Sequence, residues 1–113
     1  MSALIHEEQV YAMAVGKAKV LADAYVTSGL PILKRILGED AFVGFWAVEL
    51  GGNMDELIQI WEFASEAERR RRRAELWLDA EWLAFAAEYG PLITHRSMRI
   101  FSPIEIRGEG IEP

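Results

Sequence analysis

The side chains best suited to chemistry in this chain lie near its two ends. Glu7, Gln9 and Tyr11 alternate within LIHEEQVYAM, residues 4–13, and His95, Ser97 and Arg99 alternate within THRSMRI, residues 94–100. Alternation puts each trio on one face of an extended strand. If the two strands pair antiparallel with Glu7 opposite Arg99, Gln9 falls opposite Ser97 and Tyr11 opposite His95, in one polar strip on the open face of the sheet. That pairing would assemble proton-transfer machinery, because an imidazole titrates near neutral pH and a phenol donates to a developing oxyanion. Glu7 and Arg99 would anchor the pair and tune it electrostatically. The catalytic candidates are therefore Tyr11, His95, Glu7 and Arg99. The plainer reading makes Glu7–Arg99 a structural ion pair at a strand end and His95 a hydrogen-bonded structural residue. His6 falls on the face opposite Glu7.

A second set of candidates comes from residues 43–65, VGFWAVELGGNMDELIQIWEFAS. Two apolar runs flank Gly52-Asn53, a strong two-residue hairpin signal. With those residues as the turn, Val48 faces Leu57, Trp46 faces Gln59 and Gly44 faces Trp61. Val43, Phe45, Ala47, Ile58 and Ile60 then share a uniformly apolar side that suits helix packing. Trp46, Gln59, Trp61 and Phe63 share the other, open side as candidate substrate-binding residues, with Gln59 orienting a flat or apolar ligand. The alternative is that the two indoles fill a dimer core. Glu49 would join the site only if the register slipped by one.

These residues need elements to hold them. The first strand ends at Gly16, and residues 17–28 carry Val20, Leu21, Ala24 and Tyr25 at helical spacing. Gly29-Leu30-Pro31 predicts a break, because Pro31 lacks the backbone donor a helix interior requires. A short helix follows from Pro31 to Leu37, with Gly38 as its stop. The hairpin occupies roughly residues 42–64. Ser65 and Glu68 form a capping box for a helix reaching about Leu78. Asp79 caps a further piece with Trp82, Phe85 and Ala86 that ends at Gly90-Pro91. Leu92 to Ser102 reads as the last strand and residues 103–113 as an extended tail. The order βαββαβ predicts an α+β, ferredoxin-like fold with a four-stranded antiparallel sheet, as a single domain over residues 1–113.

Composition removes several function classes. The net charge is −6 and there is no Cys among 113 residues. Non-specific nucleic-acid binding rests on neutralising phosphates, which an acidic chain does poorly. Thiolate metal sites and cysteine nucleophiles are excluded. Two His and the scattered Asp55, Glu56 and Glu62 make no metal cluster. The run Arg69–Arg73 sits in a helix, where Glu66–Arg70, Glu68–Arg72 and Arg71–Glu75 at i,i+4 describe a solvated face. The acidic MSALIHEEQ start lacks the basic and apolar regions of a signal peptide, and no apolar run nears the ~20 residues of a membrane span. A cytoplasmic protein without membrane contact is expected. A hydrophobic content of 51% is high for a small monomer and suggests a second copy covering a sheet face.

The strings VGFWAVELG and IWEFASEAERRRRRAELWLDAEWLAF resemble the core of the NIPSNAP family. The matching elements are Gly44 and Trp46; Trp61, Phe63 and Ser65; and Asp79, Glu81 and Trp82. The Gly-Leu-Pro at 29–31, the first strand with Glu7 and Tyr11, and the late Arg99 match as well. Three positions depart from the pattern: Gln59 stands where relatives often have His, Gln9 where they have Arg, and Met98 where they have Asn. The resemblance covers about residues 5–103 and implies a dimeric α/β barrel, in which two subunits bring their open sheet faces together. It names no single reaction, since proteins of this architecture include cofactor-independent oxygenases, cyclases and isomerases. The expectation is a homodimeric enzyme without a tightly bound cofactor, acting on an aromatic or polyketide-like substrate by cyclisation, isomerisation or oxygenation. The alternative is a non-catalytic ligand-binding or interaction module.

Overall fold

The structure, a computed structural model, describes residues 4–52 and 54–104. Strand β1 (Ile5–Met13) puts Ile5, Glu7, Gln9, Tyr11 and Met13 on one side, as the alternation predicts, but that side is buried against the helices and is not the open face expected for Glu7, Gln9 and Tyr11. Helix α1 (Ala18–Ala24), a π turn (Tyr25–Gly29) and helix α2 (Leu30–Leu37) then follow as one helical path. The break expected at residues 29–31 does not occur. The π turn shifts the bonding register, with the Leu30 N–H donating to the Tyr25 carbonyl, and Pro31 falls in the first turn of α2. There the fixed φ of proline suits the helix, and the shifted bonding register accommodates the missing donor. Gly38 ends α2 as expected, at φ +116°.

Strands β2 (Phe42–Ala47) and β3 (Glu56–Phe63) precede helices α3 (Glu66–Leu76) and α4 (Ala80–Tyr89), and β4 (Ile93–Phe101) closes the fold. Ser65 Oγ accepts from the Glu68 N–H at 3.1 Å, and Asp79 Oδ2 accepts from the Trp82 N–H at 3.0 Å. Both expected caps are therefore present. The sheet order is β2-β3-β1-β4, every pair antiparallel, which is the ferredoxin-like arrangement. Of the expected tail, residues 105–113 lie outside the described residues.

The hairpin register differs from the expectation by one residue. Phe45 faces Gln59, Trp46 faces Ile58 and Ala47 faces Leu57, with an irregularity between Phe42 and Gly44. The connection spans residues 48–55 rather than two, with Gly51 and Gly52 at positive φ. Such a loop no longer dictates register, and burial decides it. Asn53, the other half of the expected turn, lies outside the described residues.

The slip exchanges the two faces of β3 but not those of β2, where Phe45 stays on the helix side and Trp46 on the open side as expected. Leu57, Gln59, Trp61 and Phe63 turn toward the helices and are buried. The expectation that Ile58 and Ile60 would face the helices weighed uniformity over size: Trp61 and Phe63 bury far more apolar surface, and the lone amide finds a partner inside. Trp46 goes to the open face beside Ile58, and its indole lies over Gly44, where a Cβ would come within 2.5 Å of the ring. Gly44 therefore makes room for Trp46, not for Trp61. Val10, Ile58 and Ile60 fill the middle of the open face, with His6 stacked on Phe101 at 5.4 Å. Among the described residues, no helix is long and apolar enough to cross a membrane.

Candidate functional site

Glu7 has no solvent exposure. A carboxylate so placed needs counter-charge and hydrogen bonds, and α3 supplies them. Arg69 Nη1 donates to Glu7 Oε1 at 3.0 Å; Arg73 Nε donates to the same oxygen at 3.2 Å and Arg73 Nη2 to Oε2. Gln9 Nε2 adds a bond to Oε2 at 2.8 Å. Burial pushes the Glu7 carboxyl up, but the Arg73 bond and charge, with Gln9 and Arg69, outweigh it and hold the group below its ordinary range. Glu7 is a charged structural anchor that ties β1 to α3.

The arginine run therefore divides. Arg70, Arg71 and Arg72 pair with Glu66, Glu75 and Glu68, as the spacing predicts; Arg70 and Arg71 are on the outer side, while Arg72 is partly buried and also donates to the Leu37 carbonyl at the end of α2. Arg69 and Arg73 turn inward, against the expectation of a wholly solvated face. They share a helical stripe with buried Leu76, and that spacing was the available signal.

Beside Glu7, Gln59 Oε1 accepts from Trp61 Nε1 at 2.9 Å, while Gln59 Nε2 has no hydrogen-bond partner among the described residues. Tyr11 stacks on Tyr25 at 5.8 Å. Burial raises the Tyr11 pKa above that of an ordinary phenol, so the hydroxyl stays protonated. The Arg96 guanidinium lies 5.4 Å above the Tyr11 ring.

These groups border a cleft of about 420 Å³ between α3, the start of α4 and the inner side of β1 and β4. Tyr11, Arg69, Arg73, Arg96, Trp77 and Trp82 supply its characteristic lining. It exists because the helices stop short of β4, which is exposed along almost its whole length.

The β1–β4 register also slips by one from the expectation. Glu8 faces Arg99, Tyr11 faces Arg96 and His95 faces Ala12. Arg99 donates to Glu8 at 2.7 Å, on the face opposite Glu7. With two arginines of α3 already on Glu7, β4 has no counter-charge to provide there. The proposed Tyr11–His95 pair is thus divided by the sheet, and so is Glu7–Arg99. Trp61 and Phe63 belong to the core, Gln59 lies buried beside it, Trp46 is on the other face, and Glu49 is exposed in the loop. Of the eight candidates, the structure brings together Glu7, Tyr11 and Gln59. Sequence reasoning missed Arg73, Arg96, Trp77 and Trp82 as cleft residues. Among the described residues, no group of three or more His, Asp or Glu has a metal-holding arrangement.

A family model described as NIPSNAP matches residues 6–106. The chain belongs to the NIPSNAP family. A NIPSNAP family protein of Agrobacterium tumefaciens has 28% sequence identity to it and a TM-score of 0.87, over 95% of this chain and 91% of that one. SnoaB, a cofactor-independent oxygenase from Streptomyces nogalater, shares the fold at a TM-score of 0.63 and 12% identity, over 95% of this chain and 99% of that one. Human Protein NipSnap homolog 3A is 42% identical over 40 residues, which are 35% of this chain and 16% of the human protein. This chain thus matches a small part of that longer relative. The three NIPSNAP departures fall in one row: Gln9 faces Gln59 on one side and Met98 on the other, next to Glu7 and the cleft.

Proposed function

We propose that this NIPSNAP protein is a cytoplasmic homodimer that binds an aromatic or polyketide-like molecule in the cleft and acts on it without a tightly bound cofactor. The observation that carries this reading is the cleft itself, with aromatic walls and a few convergent polar groups, the composition of small-molecule sites. Its volume of about 420 Å³ suits such a ligand. Tyr11, kept protonated by burial, is an acid and hydrogen-bond donor for an oxygen on which negative charge develops. Cyclisation, isomerisation and oxygenation all pass through such an oxygen. The fold shared with a cofactor-independent oxygenase is consistent with this class.

A second reading, a non-catalytic binding module, draws on the separation of His95 from Tyr11, which leaves the cleft lining without a histidine base. Tyr11→Phe separates the two. If the protein is an enzyme, the variant binds ligand normally and turns it over roughly a hundredfold more slowly, the scale of losing one oxyanion donor. Full turnover by Tyr11→Phe would remove the catalytic assignment. Binding across an aromatic metabolite panel with no turnover by the wild type would establish the module instead.

A further inference from the structure

We propose that the ligand of this cleft is an organic anion, specifically an aromatic carboxylate, held by Arg96 with help from Arg73. The proposal rests on the cleft reading above and adds the chemical class of ligand.

Charge accounting comes first. Three guanidiniums line the cleft and no carboxylate does. Arg69 is fully engaged: Nε and Nη2 donate to Glu66 at 2.9 and 2.8 Å, and Nη1 donates to Glu7. Arg73 uses Nε and Nη2 on Glu7, which leaves Nη1 without an acceptor among the described residues. Arg96 makes no hydrogen bond or ion pair to any described residue, and its one marked contact is the Tyr11 ring. Glu7 and Glu66 answer Arg69 and Arg73, with Glu66 shared with Arg70, and the charge of Arg96 stands unanswered at the cleft. In a chain of net charge −6, such a positive hollow is not what the average surface would produce.

The remaining walls fit the rest of the ligand. Trp77 and Trp82 meet edge to face at 5.9 Å, and ring systems stack well against such walls. A guanidinium fork matches the two oxygens of a carboxylate. Aromatic walls lower the local dielectric and strengthen that contact.

The test uses matched ligands that differ only in charge: naphthoate against naphthamide, and anthracene carboxylate against its carboxamide. Binding is read by quenching of indole fluorescence in the intact protein. The carboxylates are expected to bind about tenfold or more tighter than the amides. Arg96→Gln, at an exposed position that does not threaten folding, should erase that preference while leaving amide binding intact. Arg96→Lys should restore part of it. Arg70→Gln removes equal charge from the outer side of α3 and should change nothing. Equal binding of carboxylate and amide would overturn the anion proposal and leave the cleft standing. Loss of both ligands in Arg96→Gln would also overturn it, and absence of any binding would remove the cleft reading with it.

Discussion

Glu7 shows how one buried charge organises its surroundings. Replacing it by Gln keeps the shape but leaves Arg73 without counter-charge and Arg69 with Glu66 alone. Breaking a buried pair from one side costs about 3 kcal/mol, so Glu7→Gln should lower the melting temperature markedly. The pH dependence has a definite sign. The folded-state pKa lies below the ordinary 4.5, so the stabilisation is complete above 4.5 and drains away as pH falls through the folded value. Thermal denaturation across acid pH should show a falling limb in the wild type that is shallower in Glu7→Gln. A limb of equal steepness in both would mean that other carboxylates govern acid unfolding. That Glu7, Gln9 and Tyr11 share one face was legible from their alternation in β1, but that this face is the buried one and not the open one was not. Their partners were not, because the arginines of α3 read as surface until one sees that Arg69 and Arg73 share a stripe with Leu76.

Among the elements, the helical path through Tyr25–Gly29 carries the most information about packing. A Cβ on Gly29 would come within 2.6 Å of the Phe85 ring and 2.8 Å of the Tyr25 ring. Alanine is ordinarily the better helix former by about 1 kcal/mol. Here overpacking between two buried rings should outweigh that gain, so Gly29→Ala is expected to destabilise by about 1–2 kcal/mol in chemical denaturation. A neutral or stabilising result would show that α4 gives way easily. The caps at Ser65 and Asp79 and the stop at Gly38 were legible because each is set by one residue's local chemistry. The π turn was not, since a one-residue change of bonding register leaves the apolar spacing almost unchanged. The registers of β2–β3 and β1–β4 failed for the same cause: each rested on a single assumed pair, and an error of one residue exchanges the faces of a strand.

For the whole molecule, the two sides of the sheet separate two proposed tasks. The helix side holds the cleft, and the open side presents Val10, Trp46, Ile58 and Ile60 in a half-exposed apolar field. The cross-strand pairs His6–Glu62 and Glu8–Arg99 border it. If two copies meet through this field, light scattering should give a dimer for the wild type and a monomer for Ile60→Glu. Ligand binding should survive in that variant, because the cleft lies across the sheet from the substitution. A monomeric wild type would overturn the dimer. The overall topology was legible from element order alone, which tolerates errors of a residue or two that a site does not.

The sheet order also leaves β2 and β4 as outer strands, each with one row of backbone donors and acceptors that no neighbouring strand takes up. Such rows are templates for uncontrolled lengthening of a sheet into aggregates. Each has its own obstacle. β2 carries an irregularity between Phe42 and Gly44, which spoils the even spacing an incoming strand would need. β4 presents His95, Arg96 and Arg99 along a short exposed stretch, so an identical strand laid alongside would bring like charges together. Growth at the rim is discouraged on both sides, and the open face is then the surface through which the proposed dimer would form.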